Sequence, residues 1–229
     1  MFPNRVEHAI VQHQEICLSH LINFDHHVHG GVHVIITIAP QILVTIFDDL
    51  HDHGFLHTKI EFILQERVTL AYFMKATDQV LSQSMTIEKE IIVQLEGRYA
   101  SANITCAYLG VGQKVFIFKS LQNHHVEQTT SNVVVKSVLD DESKLFCYSL
   151  IHVDKQAQHA VAEQVNKNIV LKNTAHVVSV PMLEVLAHDV RCKHGAAVST
   201  LDTEQLFYLQ SRGIDKNLTR QMLIQAFLN

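Results

Sequence analysis

Short runs in which apolar and polar residues alternate follow one another from about residue 32 to residue 190. Val34-Ile35-Ile36-Thr37-Ile38 and Ile42-Leu43-Val44-Thr45-Ile46 come first, then Lys59 to Leu64 and Val68 to Phe73. Glu90 to Leu95, Ala102 to Tyr108, Lys114 to Phe118, Val133 to Val138, Leu145 to Leu150, Ile169 to Leu171 and Leu183 to Leu186 continue the series. A period of two marks a strand with one buried face, and the frequent β-branched residues suit a pleated surface. The most apolar stretch, Val32 to Phe47, contains Pro40 and Gln41. A membrane helix needs roughly 20 apolar residues, so the stretch predicts two strands broken at Pro40.

Many short strands at regular spacing predict a sandwich, a barrel or a solenoid. The chain has only eight glycines and no Asn-Gly or Asp-Gly pair. Tight two-residue hairpins favour those pairs, so a solenoid with wider corners is preferred to a hairpin meander. Periodicity alone leaves a β-helix and a sandwich both open.

The ends differ from the middle. Asp202 fits a helix cap with Gln205 three residues on, Leu206, Phe207 and Leu209 supply an apolar face, and Gly213 fits a stop. Asp215 caps a second helix with Leu218, Met222, Leu223, Ala226 and Phe227 at helical spacing. Val6, Ile10, His13 and Cys17 fall on one face of a short helix over residues 7–22. The expected organisation is an amino-terminal segment 1–30 with that helix, a β core 31–200 and a helical region 201–229.

Of 229 residues, 47% are hydrophobic, enough for a sizeable core, and the formal net charge is -5. No basic stripe marks a nucleic-acid partner, and the scattered Lys and Arg argue against an anionic membrane surface. The opening MFPNRVEHAIVQ lacks the charged-then-apolar layout of a secretory signal, so a soluble cytosolic protein is expected. Cys17, Cys106, Cys147 and Cys192 form no CxxC pair, and Cys106 and Cys147, inside apolar runs, are read as buried free thiols.

Histidine is abundant, at 17 residues, and clusters in Asp25-His26-His27-Val28-His29 and His51-Asp52-His53. Imidazoles ligate metals and sense pH. His27 and His29 raise an alternative, a cupin-like metal-binding β protein, although no carboxylate follows between Val32 and Ile46 to complete that motif. No GxxxxGK[ST], GxGxxG, GxSxG or HExxH is present, so ATP hydrolysis, dinucleotide binding, serine hydrolase and zincin chemistry are not expected of this chain.

One segment is more specific than any pattern. It reads Pro181-Met182-Leu183-Glu184-Val185-Leu186-Ala187-His188-Asp189-Val190-Arg191-Cys192-Lys193-His194-Gly195-Ala196-Ala197-Val198, and continues Leu201-Asp202-Thr203-Glu204-Gln205-Leu206-Phe207-Tyr208-Leu209-Gln210-Ser211-Arg212-Gly213. It resembles the carboxy-terminal signature of the SufB/SufD family of iron–sulfur cluster assembly proteins, P-x-LEI-x-A-D-DV-K-C-S-H-G-A-T-V followed by D-x-E-x-x-F-Y-L-x-S-RG. Thr130-Ser131-Asn132, Leu139-Asp140-Asp141, Ala157-Gln158-His159-Ala160 and Asn168-Ile169-Val170-Leu171 are similar to the strands and corners before it. The resemblance is good from about residue 85 and loose over about 30–84, without the larger helical amino-terminal region and longer tail of typical members. Glycine at the place of Gly195 resembles the SufD side of the family, where the SufB side tends to carry glutamate.

The resemblance implies a right-handed parallel β-helix followed by helices, and a SufD-like scaffold that is not an enzyme. The implied partners are a SufB-like subunit and the SufC ATPase, with a homodimer when the chain is alone. It also implies no cofactor tightly bound in isolation, but a nascent iron–sulfur cluster or iron held transiently at the SufB–SufD interface. His194 occupies the place of the histidine that faces a cysteine on the SufB side, where its other role would be a hydrogen bond across the interface. Cys192 would be a second soft ligand or a structural thiol. Asp189 and His188 would orient His194, His188 standing where the family usually has an acidic residue. Phe207, Tyr208 and Arg212 are the implied ATPase contacts, unless Phe207 packs the helices onto the β-helix.

Overall fold

The computed structural model of the chain describes residues 4–21, 31–49, 57–77 and 85–229. Its strands are β1 (Asn4–Ile10), β2 (Gln14–Cys17), β3 (Val32–Ile38), β4 (Leu43–Asp49), β5 (His57–Leu64), β6 (Thr69–Ala76) and β7 (Thr86–Leu95). They continue as β8 (Ser101–Gly110), β9 (Val115–His124), β10 (Thr130–Leu139), β11 (Lys144–Val153), β12 (Val161–Val170), β13 (His176–Val185) and β14 (Arg191–Ser199). Helices are α1 (Leu18–Leu21), α2 (Thr203–Ser211) and α3 (Lys216–Leu228).

The chain alternates between two sheets. Odd strands stack in the order β1-β3-β5-β7-β9-β11-β13 and even strands in the order β14-β12-β10-β8-β6-β4-β2. Each ladder is parallel, as where Thr130 of β10 faces Val161 of β12 and Ser101 of β8. Two strands make one turn, and the fold is a parallel β solenoid. An all-parallel solenoid is not the cupin barrel, which removes the fold on which the alternative rested. His26, His27, His29, His51 and His53 lie outside the described residues.

Parallel register repeats side-chain direction from turn to turn, so the alternation in each run becomes a column of buried residues. Val34, Ile36 and Ile38 of β3 lie over Ile60, Phe62 and Leu64 of β5, and all six are buried. From the facing sheet, Val44, Ile46, Leu70, Tyr72 and Met74 close the interior, with Phe62 and Tyr72 edge to face at 5.5 Å. Each such side chain contributes roughly 1.5–3 kcal/mol. One full charge pair lies among them: Lys89 and Tyr72 both donate to the Asp48 carboxylate.

The corners explain how the chain turns with few glycines. Gln41, Arg67, Tyr99, Gln128 and His159 take left-handed backbone, one after another, on the corners that lead from the odd sheet to the even one. Backbone bonds tie successive corners, as in Gln41 N–H to Glu66 O at 2.8 Å and Arg67 N–H to Arg98 O at 2.9 Å. Gly97 is needed for a different reason, since a β-carbon there would stand 2.0 Å from the Glu66 amide nitrogen.

The helix expected over residues 7–22 does not form. Asn4–Ile10 and Gln14–Cys17 are strands that pair with β3 and β4, and only Leu18–Leu21 is helical. Val6, His8 and Ile10 face Val34, Ile36 and Ile38, so the polar His8 in an inward position hid the alternation and left Val6 and Ile10 at a spacing of four. The two predicted strands around Pro40 are present, as are the caps. Asp202 accepts from the amides of Glu204 and Gln205, Asp215 from those of Asn217 and Leu218, and Gly213 has φ +85. Helix α3 lies on the even sheet through Ile224, Phe227 and Leu228 against Ala107, Val138 and Ile169, and Arg220 binds Asp140 at 2.8 Å. Leu218 and Met222, expected on the apolar face, are exposed. Among the described residues no helix is long and apolar enough to cross a membrane.

Candidate functional site

The last turn of the solenoid differs from those beneath it in being stacked on one side only among the described residues. β13 pairs only with β11 and β14 only with β12 among the described residues. The N–H and C=O groups along their outer edges are therefore unpaired, the condition that makes a sheet edge a template for another chain. Pro181, which has no amide hydrogen to offer a ladder, is tolerated within β13 because that strand is an edge. Val178, Val180, Met182, Leu183, Val185, Leu186 and Val198 are all exposed on this turn.

On β14 the inward side of the solenoid is fixed by register. Ala162, Gln164, Asn166 and Asn168 of β12 are buried, and they face Cys192, His194, Ala196 and Val198. Cys192 and His194 thus project to one face, two residues apart, at an interior left open above them. His194 is exposed, and no side chain among the described residues hydrogen-bonds its imidazole. Cys192 is half-buried, packed with Val190 against Ile151, Val153, Ala157, Ala160, Ala162 and Ala187. Burial pushes its thiol above the ordinary value, so at neutral pH it carries its proton unless a metal displaces it.

The interior changes character towards this end. The first turns are filled by Val, Ile, Leu and Phe, whereas the later ones bury Ser120, Gln122, His124, Ser131, Ser137, Ser149, Gln164, Asn166 and Asn168. Several are paired. Ser137 donates to Asn168 at 2.6 Å, Asn166 donates to Ser179 at 2.9 Å, and the Asn168 amide donates to the Ala197 carbonyl at 3.1 Å. Others have no partner, among them both amide atoms of Gln122, Oε1 of Gln164 and Oδ1 of Asn166. Sequence reading missed this polar lining because in VAEQVNKNIV the inward Gln164, Asn166 and Asn168 and the outward Glu163 and Lys167 are all polar, leaving no contrast for a period of two to reveal. Cys106 and Cys147 are buried, as expected; burial raises both thiols, Cys147 to about 11.

The residues expected to orient His194 are not beside it. Asp189 sits on the corner before β14, where its carboxylate is 2.9 Å from the His159 imidazole, and His188 is exposed on the same corner. Gly195 faces outward, and a β-carbon there would meet nothing within 4 Å, so packing does not require glycine at this position. Among the described residues no group of three or more His, Cys, Asp and Glu is placed to hold a metal ion, so any metal at His194 would need donors from elsewhere.

Of the expected partner contacts, Phe207 and Tyr208 lie on α2, which buries none of its residues, and Arg212 is its carboxy-terminal cap. Phe207 is 75% exposed, so it does not pack the helices onto the solenoid; Phe227 and Ile224 do that. The Arg212 guanidinium lies over the Tyr208 ring at 5.3 Å, which pre-orders one aromatic–arginine pair on the exposed helix.

Comparison with known proteins agrees with this architecture. Residues 31–227 match the family described as SUF system FeS cluster assembly, SufBD core domain. The chain is 34% identical over 137 residues to the iron–sulfur cluster assembly protein SufD of Escherichia coli, covering 58% of this chain and 32% of that protein. It is 35% identical over 97 residues to a SufBD family protein of Synechocystis, covering 42% of this chain and 21% of that one. It is 44% identical over 77 residues to Protein ABCI7, chloroplastic, of Arabidopsis thaliana, covering 34% and 16%. The matched segments therefore span about a third or less of these relatives' length.

Proposed function

The chain belongs to the SufBD core family of SUF iron–sulfur cluster assembly proteins, on the SufD-like side, and from that premise we propose that it is a scaffold subunit rather than an enzyme. Its terminal turn pairs with a SufB-like subunit, and α2 docks the SufC ATPase through Phe207, Tyr208 and Arg212. Iron or a nascent cluster is held as cargo at the SufB–SufD seam, with His194 as a ligand and Cys192 as a second soft donor. The same edges pair two copies of the chain when SufB is absent. The protein works in the cytosol.

The open terminal turn supports this reading most strongly. Two long strands whose outer edges pair with nothing among the described residues, and an exposed apolar surface, need a covering partner. The imidazole and thiol lie within that surface, where a partner's donors can complete a coordination shell. A neutral imidazole keeps one lone pair for iron while the other nitrogen carries its proton. Exposed tyrosine and arginine on a pre-ordered helix are common interface anchors.

Co-expression with the SufB-like and SufC-like proteins of the same source, followed by affinity purification, tests the proposal. A ternary complex is expected, with SufC lost when the chain is cut before Asp202 and cluster yield lost in His194→Ala. A chain that purifies alone, or a complex in which His194→Ala assembles clusters at the wild-type rate, rules out the corresponding part.

A further inference from the structure

We propose that Gln164 is the positioning residue for His194, holding one imidazole nitrogen protonated so that the other faces out of the open turn; this rests on the reading of His194 as an iron ligand. The two residues are direct register partners on adjacent parallel strands. Neighbouring strands are about 4.8 Å apart and partners share a face, so the Gln164 side chain lies directly beneath the imidazole.

Gln164 is 2% exposed and its Oε1 has no hydrogen-bond partner. A buried carbonyl without a donor costs about 1–3 kcal/mol, and the donor nearest in register is the imidazole N–H of His194. Other candidates are engaged or turned away. Asn166 donates to Ser179, and Arg191 and Lys193 alternate to the outward side of β14. An amide oxygen suits the task better than a carboxylate here. It accepts one N–H and fixes the ring's tautomer and tilt, yet adds no negative charge that would favour the imidazolium, which has no lone pair for a metal.

The test uses the full chain labelled with nitrogen-15, and reads the tautomer of His194 from its ring-nitrogen shifts by NMR. One tautomer is expected to dominate in the wild-type chain. Gln164→Leu should shift the His194 nitrogens towards the averaged values of a free imidazole. Gln164→Met, matched in length, replaces the leucine variant should that fail to fold. In the co-purified complex, Gln164→Leu should weaken iron retention by about 10- to 100-fold, the usual cost of losing a ligand's hydrogen-bond partner. Unchanged ring-nitrogen shifts in Gln164→Leu and Gln164→Met overturn the proposal. If the shifts change while His194→Ala still assembles clusters normally, Gln164 does position the ring and it is the ligand role of His194 that fails.

Discussion

The carboxylate of Asp189 lies 2.9 Å from the imidazole of His159, tying the last corner of the solenoid to the one beneath it. The pair is exposed on both sides, at 56% and 76%, and exposed pairs are worth roughly 0.2–1 kcal/mol. Asp189→Asn should therefore lower stability by less than about 1 kcal/mol and leave cluster assembly intact, in contrast to His194→Ala. Urea unfolding and reconstitution with the partner subunits read the two effects separately; a loss of assembly as large as that of His194→Ala would return Asp189 to the metal site.

Phe207 and Tyr208 stand on a helix that buries nothing, and Arg212 caps its end. Changing each to alanine should leave the melting temperature within a degree or two. If they form the ATPase dock, each should weaken it by about 2 kcal/mol or more, roughly 30-fold in Kd. Phe227→Ala should behave in the opposite way, loosening α3 and lowering stability. Isothermal titration with the ATPase alongside thermal melts checks both, and full-strength binding by the Tyr208 variant would remove α2 from the interface.

Lys89, Asp48 and Tyr72 form a hydrogen-bonded group within the apolar interior, with Lys89 and Asp48 side chains almost wholly buried. Burial, followed by the Asp48 charge, pushes the Tyr72 hydroxyl well above its ordinary value, so it stays a donor. Lys89→Met removes the countercharge of a buried carboxylate and should cost about 3–5 kcal/mol, while a joint Lys89→Met and Asp48→Leu change should recover most of that loss. Guanidinium unfolding of the single and double variants decides it. A double variant no better than the single would show that the carboxylate is not the source of the penalty.

His124 is buried between the hydroxyls of Thr129 and Ser131, at 2.7 and 2.8 Å. Burial, and secondarily the neighbouring His125, lowers its pKa to about 4. The unfolded chain therefore binds a proton at this residue at a higher pH than the folded chain does. Its contribution to stability is fully present above the unfolded value near 6.5 and is lost as pH falls towards 4. The size is about 3 kcal/mol. His152 acts in the reverse sense: burial lowers its pKa, but hydrogen bonds to Asp154 and Glu184 outweigh that and raise it. Its stabilisation is present below about 6.5 and fades as pH rises through the raised value. Chemical unfolding of His124→Gln between pH 4 and 7 should show a flatter dependence than wild type, and an unchanged slope would contradict the assignment.

Much of the solenoid is legible in the chain because one column of buried residues repeats from turn to turn, written in β3 as Val34, Ile36 and Ile38, in β5 as Ile60, Phe62 and Leu64, and in β6 as Leu70, Tyr72 and Met74. The helix ends are legible through Asp202, Gly213 and Asp215, whose side chains or backbone act locally. Reading failed where the inward residue is itself polar, as at His8 in β1 and at Gln164 and Asn166 in β12, since hydropathy cannot tell a polar group facing inside from one facing water. At the site it did not reveal which residue lies beneath His194. The nearness of Gln164 to His194 spans thirty residues and follows from register, whereas Asp189 looked close only because it is close along the chain.

A solenoid turn touches only the turns before and after it, so its stability comes from nearest neighbours. Among the described residues the uppermost turn, like that of β1 and β2, has one neighbour where the inner ones have two, and these end turns should melt before the rest. The uppermost turn's backbone amides should take up deuterium well before those of β7 or β9. Docking of a sister chain would close that frayed end, making amide protection along residues 176–199 a direct gauge of occupancy for whatever completes the stack.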